Sequence, residues 1–174
     1  AALVNALANA KGNAKLSIIE ALGDSRTKEA AVALNELRVI DLISVIKNSA
    51  DSGKETVSVL TDYENVAKVT LYALARIGDP SSKGILESAA QVREYKYDNT
   101  NATANYLIYG NELLKNGNVA LAIKVAEKIM ANTQHDDLVT VRTGALKILV
   151  DANKANNLNL LLTAAGDKNP NYRA

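Results

Sequence analysis

The sequence has no cysteine, no tryptophan and no phenylalanine, and it holds two prolines, one methionine and one histidine. Without cysteine there is no disulfide, no thiol nucleophile and no thiolate ligand for zinc. That absence fits the cytosol and the periplasm alike. One histidine excludes a paired His-x-x-x-His metal motif. Pro80 and Pro170 leave long stretches free of helix breakers. Aromatic residues are 4% of the chain, and all are tyrosine. No apolar run approaches the roughly 18 residues of a membrane-spanning helix, so no membrane insertion is expected. Lys and Arg total 20 against 19 Asp and Glu, a formal charge of +1, with no basic block. A nucleic-acid binder carries a basic stripe, so nucleic acid is not an expected partner. There is no glycine-rich phosphate loop and no Gly-x-Ser-x-Gly elbow.

What remains is a helix-forming chain of 174 residues in which 48% are apolar and 22% charged. Those fractions suit a packed core rather than disorder. Alanine and leucine, both strong helix formers, are abundant, and asparagine accompanies them. Apolar residues recur at helical spacing almost throughout, and no strand alternation persists. Leu3, Leu7 and Ala10 predict a first helix ended by Gly12. Leu16, Ile19 and Leu22 predict a second, closed by Gly23 in a left-handed position with Asp24 capping the next helix. Ala30, Leu34 and Leu37 mark a third. Ile40, Ile43 and Ile46 run on to Asp51-Ser52-Gly53, either as a helix or, being β-branched, as an extended stretch. Thr56 to Leu60 predicts a short helical turn. Val66 to Ile77 predicts a strong helix closed by Gly78, with Asp79 as cap and Pro80 at the first position of the next. Ile85, Leu86 and Ala89 form its partner. Tyr95 to Thr103 reads as the longest loop. Tyr106 to Leu114, Val119 to Met130, Leu138 to Val150 and Leu158 to Ala165 predict four more helices.

Short loops between these helices predict antiparallel hairpins in a single domain over residues 1–174. Val66-Ala67-Lys68-Val69-Thr70-Leu71-Tyr72-Ala73-Leu74-Ala75-Arg76-Ile77-Gly78-Asp79-Pro80 resembles the HEAT-like repeat found in phycobilisome lyases. That repeat reads V-R-x-x-A-x-x-A-L-x-x-I-G-D-P before a second helix. Val66, Ala73, Leu74, Ile77, Gly78, Asp79 and Pro80 match it. Ala67 replaces the usual Arg, which Val141-Arg142 retains. Ala21-Leu22-Gly23-Asp24-Ser25 repeats the ending. Gly23 and Gly78 lie 55 positions apart, beyond the roughly 40–47 of a regular unit, so Ile40 to Leu60 reads as added material. Between Arg93 and Asp137 the motif vanishes, and Ala104 to Ala131 is more similar to a tetratricopeptide pair. The resemblance spans about two thirds of the chain. It implies a right-handed α-α superhelix, an armadillo-like solenoid of about four to five stacked hairpins. The chain opens on Ala1-Ala2-Leu3 already in helical pattern. It closes on Asn169-Pro170-Asn171-Tyr172-Arg173-Ala174, which reads like the start of another helix. The expectation is an excised piece of a longer protein.

Few residues invite chemistry. His135-Asp136-Asp137 reads either as a metal or base site or as a loop in which Asp136 or Asp137 caps the following helix; the cap is preferred. The expectation is therefore no metal, no cofactor and no catalytic residue in this stretch. Arg93 with Tyr95 and Tyr97 forms a candidate binding patch, because Tyr and Arg make interface anchors or sugar-stacking surfaces. Lys83 and Glu87 join it as charges on a second helix, where solenoids bind partners. The competing reading makes the tyrosines core and the charges a solvated face. Asn101-Ala102-Thr103 matches a glycosylation acceptor.

The function expected from these features is a non-catalytic HEAT-like scaffold. It would bind another protein or another domain of its own chain. The alternatives are an accessory helical domain of a secreted bacterial carbohydrate-active enzyme, or a bilin-lyase-like protein. A periplasmic or secreted location is preferred over a cytoplasmic one.

Overall fold

A computed structural model of the chain describes residues 2–52, 57–153 and 157–173. Within them every regular element is a helix. They are α1 (Ala2–Leu7), α2 (Gly12–Ser25), α3 (Lys28–Asn35), α4 (Val39–Ser52), α5 (Val57–Ile77), α6 (Lys83–Val92), α7 (Ala102–Lys115), α8 (Val119–Asn132), α9 (Val139–Asn153), α10 (Leu158–Ala165) and α11 (Pro170–Arg173). Short 3-10 turns at Pro80–Ser82 and Asp136–Leu138 lead into α6 and α9. The stretch from Ile40 to Ile46 is helical, and the extended alternative is not adopted. Thr56 and Gly53 lie outside the described residues. Val57 to Leu60 is not a separate turn but the first turn of the 21-residue α5.

Packing follows the order of the chain. α2 lies against α5, α5 against α7 and α7 against α9, while α4 lies against α6 and α8 against both α7 and α9. The core is continuous along this series. Ile19, Leu34, Ile43, Leu71, Leu74, Leu86, Leu113, Ile129 and Ile148 are closed to solvent. Small residues set how near the helices come. Gly23 is not a helix terminator. It lies inside α2, and a Cβ added there would stand 2.7 Å from the Cβ of Ala73 on α5. The glycine is there because the two helices touch at that point.

Helix α2 instead ends two residues later, where Arg26 takes the left-handed conformation (φ 50°). Its guanidinium bonds Glu112 of α7 at 3.0 Å, and Ser25 donates to the carbonyl of Leu22. Asp24 does not cap α3. Thr27 does, accepting from the amide of Ala30 at 3.2 Å. The same motif around Gly78 behaves as the sequence predicts. Gly78 is left-handed (φ 64°), Asp79 accepts from the amide of Ser81 at 2.9 Å, and Pro80 opens the 3-10 turn. The next hairpin holds this turn. Asn116 donates to the carbonyl of Ile77 at 3.0 Å, and the Tyr109 hydroxyl donates to that of Asp79 at 2.9 Å. Gly12, expected to end the first helix, opens the second with φ 50°.

Candidate functional site

The loop between α6 and α7 is where the sequence placed a binding patch, and the folded loop turns most of that patch inward. Glu94 and Tyr95 both adopt positive φ, which tucks Tyr95 beneath the loop at 3% exposure. Its amide donates to the carbonyl of Ala90. Burial, with the Glu87 carboxylate nearby, pushes its phenol above the usual tyrosine range. Arg93 lies 3.7 Å from Asp98, and both are mostly covered. Asp98 also accepts from the amides of Thr100 and Ala102, so the pair organises the loop rather than facing a partner. Tyr97 alone stands in solvent, at 86% exposure. A three-residue surface of Arg93, Tyr95 and Tyr97 is therefore not assembled.

Lys83 and Glu87 also serve the interior. They pair across one turn of α6, and Glu87 reaches Lys128 of α8 at 3.4 Å and the Tyr106 hydroxyl at 3.5 Å. Burial raises the pKa of Glu87, but Lys83 and Lys128 outweigh it and hold the carboxyl below its ordinary value. Burial likewise pushes the Tyr106 and Tyr109 phenols far up. These are ties between α6, α7 and α8.

His135 precedes the turn into α9 and makes no side-chain cap; Asp136 instead accepts from Asn169 at 3.0 Å. Among the described residues no group of three or more His, Cys, Asp or Glu is placed to hold a metal ion. The Asn101-Ala102-Thr103 tripeptide is wound into the start of α7, with Thr103 buried.

Another concavity lies elsewhere, along α5. It has a volume of about 520 Å³ and runs between α2 and the start of α7. Its floor is the Gly23–Ala73 contact with Val69. On α5, Lys68, Tyr72 and Arg76 recur every four residues and share one face. Tyr72 is 46% exposed, and the Arg76 guanidinium lies 5.6 Å from its ring centroid. Arg76 also bonds Asp24 of α2, one turn from Glu20. Asn101 and Asn105 close the far side. Asn105 is 2% exposed and donates to the carbonyl of Thr100 at 3.4 Å, while its carboxamide oxygen accepts from no described residue.

No protein-family model matches the chain, and neither curated proteins nor solved structures yield a match. The groove therefore has to be read from its own chemistry. Sequence reasoning passed over it because Tyr72 and Arg76 fall inside the repeat-like segment. The available signal was the stripe Lys68-Tyr72-Arg76, polar and aromatic at four-residue spacing, with Glu20 and Asp24 at the same spacing on α2.

Proposed function

We propose that the chain is a non-catalytic, HEAT-like helical scaffold that docks another protein or a neighbouring domain. Supporting the repeat reading are the Ile77-Gly78-Asp79-Pro80 turn and the series α2, α5, α7, α9, each packed on the next. One observation carries the docking reading. Leu158, Leu161 and Leu162 of α10 are 69%, 47% and 61% exposed, side by side at the end of the helical series. Leu160 of the same helix packs on the core, so α10 is held in place while its outer face stays uncovered. Adjacent exposed leucines mark interaction surfaces more often than isolated ones do.

A photo-crosslinking residue at position 161, introduced in the native host, tests this. A defined adduct from position 161, absent when the probe replaces exposed Lys147, supports docking at α10. Equal labelling from both positions, or none, removes it. The array itself has a separate test. A compact 174-residue domain has a radius of gyration of about 16 Å. A stacked array should exceed this clearly in small-angle scattering, and a value at the compact limit argues against it.

The α5 groove favours a second reading, an accessory domain of a secreted bacterial carbohydrate-active enzyme. Its exposed tyrosine and planar polar groups suit a sugar better than an apolar peptide. The flanking reading frame tests it. A glycan-acting domain supports it, and helical hairpins alone remove it.

A further inference from the structure

We infer that the groove along α5 is a binding site for a neutral oligosaccharide. This deepens the accessory-domain reading, and it uses none of the leucines of α10.

Charge narrows the ligand first. The groove is lined by two carboxylates, Glu20 and Asp24, and two cations, Lys68 and Arg76. Asp24 and Arg76 neutralise each other through their ion pair. Glu20 and Lys68 have no ion-pair partner among the described residues. The groove therefore has no excess of either sign. A polyanion such as a nucleic acid or a sulfated glycan would meet carboxylates along the α2 wall, and a polycation would meet Lys68 and Arg76.

Polarity narrows it further. Val69, Ala73 and Gly23 form an apolar floor, and the polar groups stand around it. The walls present acceptors from Glu20 and the Asn105 carboxamide oxygen, and donors from Lys68. Asn101 offers both kinds. A ligand hydroxyl donates and accepts at once, so a mixed wall suits a polyhydroxylated molecule. Asn105 donates to the Thr100 carbonyl, and its carboxamide oxygen, at the groove wall rather than sealed in the core, is an acceptor open to a ligand.

Tyr72 supplies the remaining element, an exposed ring midway along a stripe of about 12 Å from position 68 to position 76. A pyranose has an apolar C–H face that stacks on such a ring. Arg76 is held by Asp24 and lies close to the ring, so Tyr72 is oriented before any ligand arrives. The groove volume of about 520 Å³ falls within the roughly 300–1,000 Å³ of small-ligand sites.

Isothermal titration calorimetry with cellohexaose, xylohexaose, laminarihexaose, mannohexaose and maltohexaose tests the inference, with a heparin hexasaccharide as the charged control. The expected result is saturable, salt-insensitive binding of at least one neutral hexasaccharide. Tyr72→Ala and Glu20→Ala should each weaken it by about tenfold or more, while Tyr72→Phe keeps most of it. Leu161→Ser should leave it unchanged. Thermal unfolding of each variant confirms that the fold persists. Binding by no neutral sugar, by heparin alone, or with equal strength after Tyr72→Ala overturns the inference. If the flanking frame encodes a glycan-acting domain and no sugar binds, the inference fails while the accessory reading stands.

Discussion

At Gly23 a single hydrogen atom stands where any other residue would place carbon. A Cβ there meets both the Cβ and the Cα of Ala73, at 2.7 and 2.9 Å, so a rotamer change in Ala73 cannot relieve the clash. Gly23→Ala should therefore force α2 and α5 apart and cost about 1–3 kcal/mol. Urea unfolding would show this as a lower midpoint at unchanged slope; an unchanged midpoint would mean that the helices are not in contact there. Glu87 gives a pH-dependent counterpart. Its folded pKa lies below the ordinary value of 4.5, because burial, which raises it, is outweighed by Lys83 and Lys128. Its contribution is present above that value and is lost as pH falls through the lower, folded one. Glu87→Gln should flatten the acid limb of a stability-versus-pH curve. A limb of undiminished slope would place the acid sensitivity elsewhere. Neither role was legible in the sequence. Gly23 followed by Asp24 looks identical to Gly78 followed by Asp79, and only the neighbouring helix distinguishes a glycine needed for contact from one needed for a turn.

Helical period was a reliable guide to the elements, and their ends were less so. Helices α8 and α10 begin and end close to where Val119 and Leu158 predicted them, while α7 starts at Ala102, a turn before Tyr106 and within the stretch read as loop. The long α5 was missed as a unit because its first two turns, with Ser58, Thr61, Asp62 and Glu64, carry a weaker apolar stripe than Val66 to Ile77. The loop after α6 misled for a different reason. Its length and tyrosines were visible, but the positive φ of Glu94 and Tyr95 that turns the ring inward has no signal in residue type. The last short element, α11, packs its tyrosine on a side chain of α9. Arg142 of α9, buried, lies 4.1 Å from the Tyr172 ring centroid and bonds Asp167 at 3.1 Å. Tyr172→Ala removes that stack and should raise amide exchange across residues 167–173 without shifting the midpoint of α5 to α9. If protection at 167–173 is unchanged, the arginine is not the anchor.

For the whole molecule, the all-helical class followed from composition and period alone. The candidate site did not. Its parts come from α2, α5 and α7, which the chain separates by tens of residues, and only the α2–α5 and α5–α7 contacts unite them. The same sequential packing governs how the molecule yields to load. Drawn apart from its two ends, a body whose helices grip mainly their neighbours in order would give way seam by seam. The bonds from Asn116 and Tyr109 to the Gly78 turn cross one such seam. The extension trace should then show a succession of modest force peaks in place of one large rupture, with the seam between α5 and α7 among the last to open.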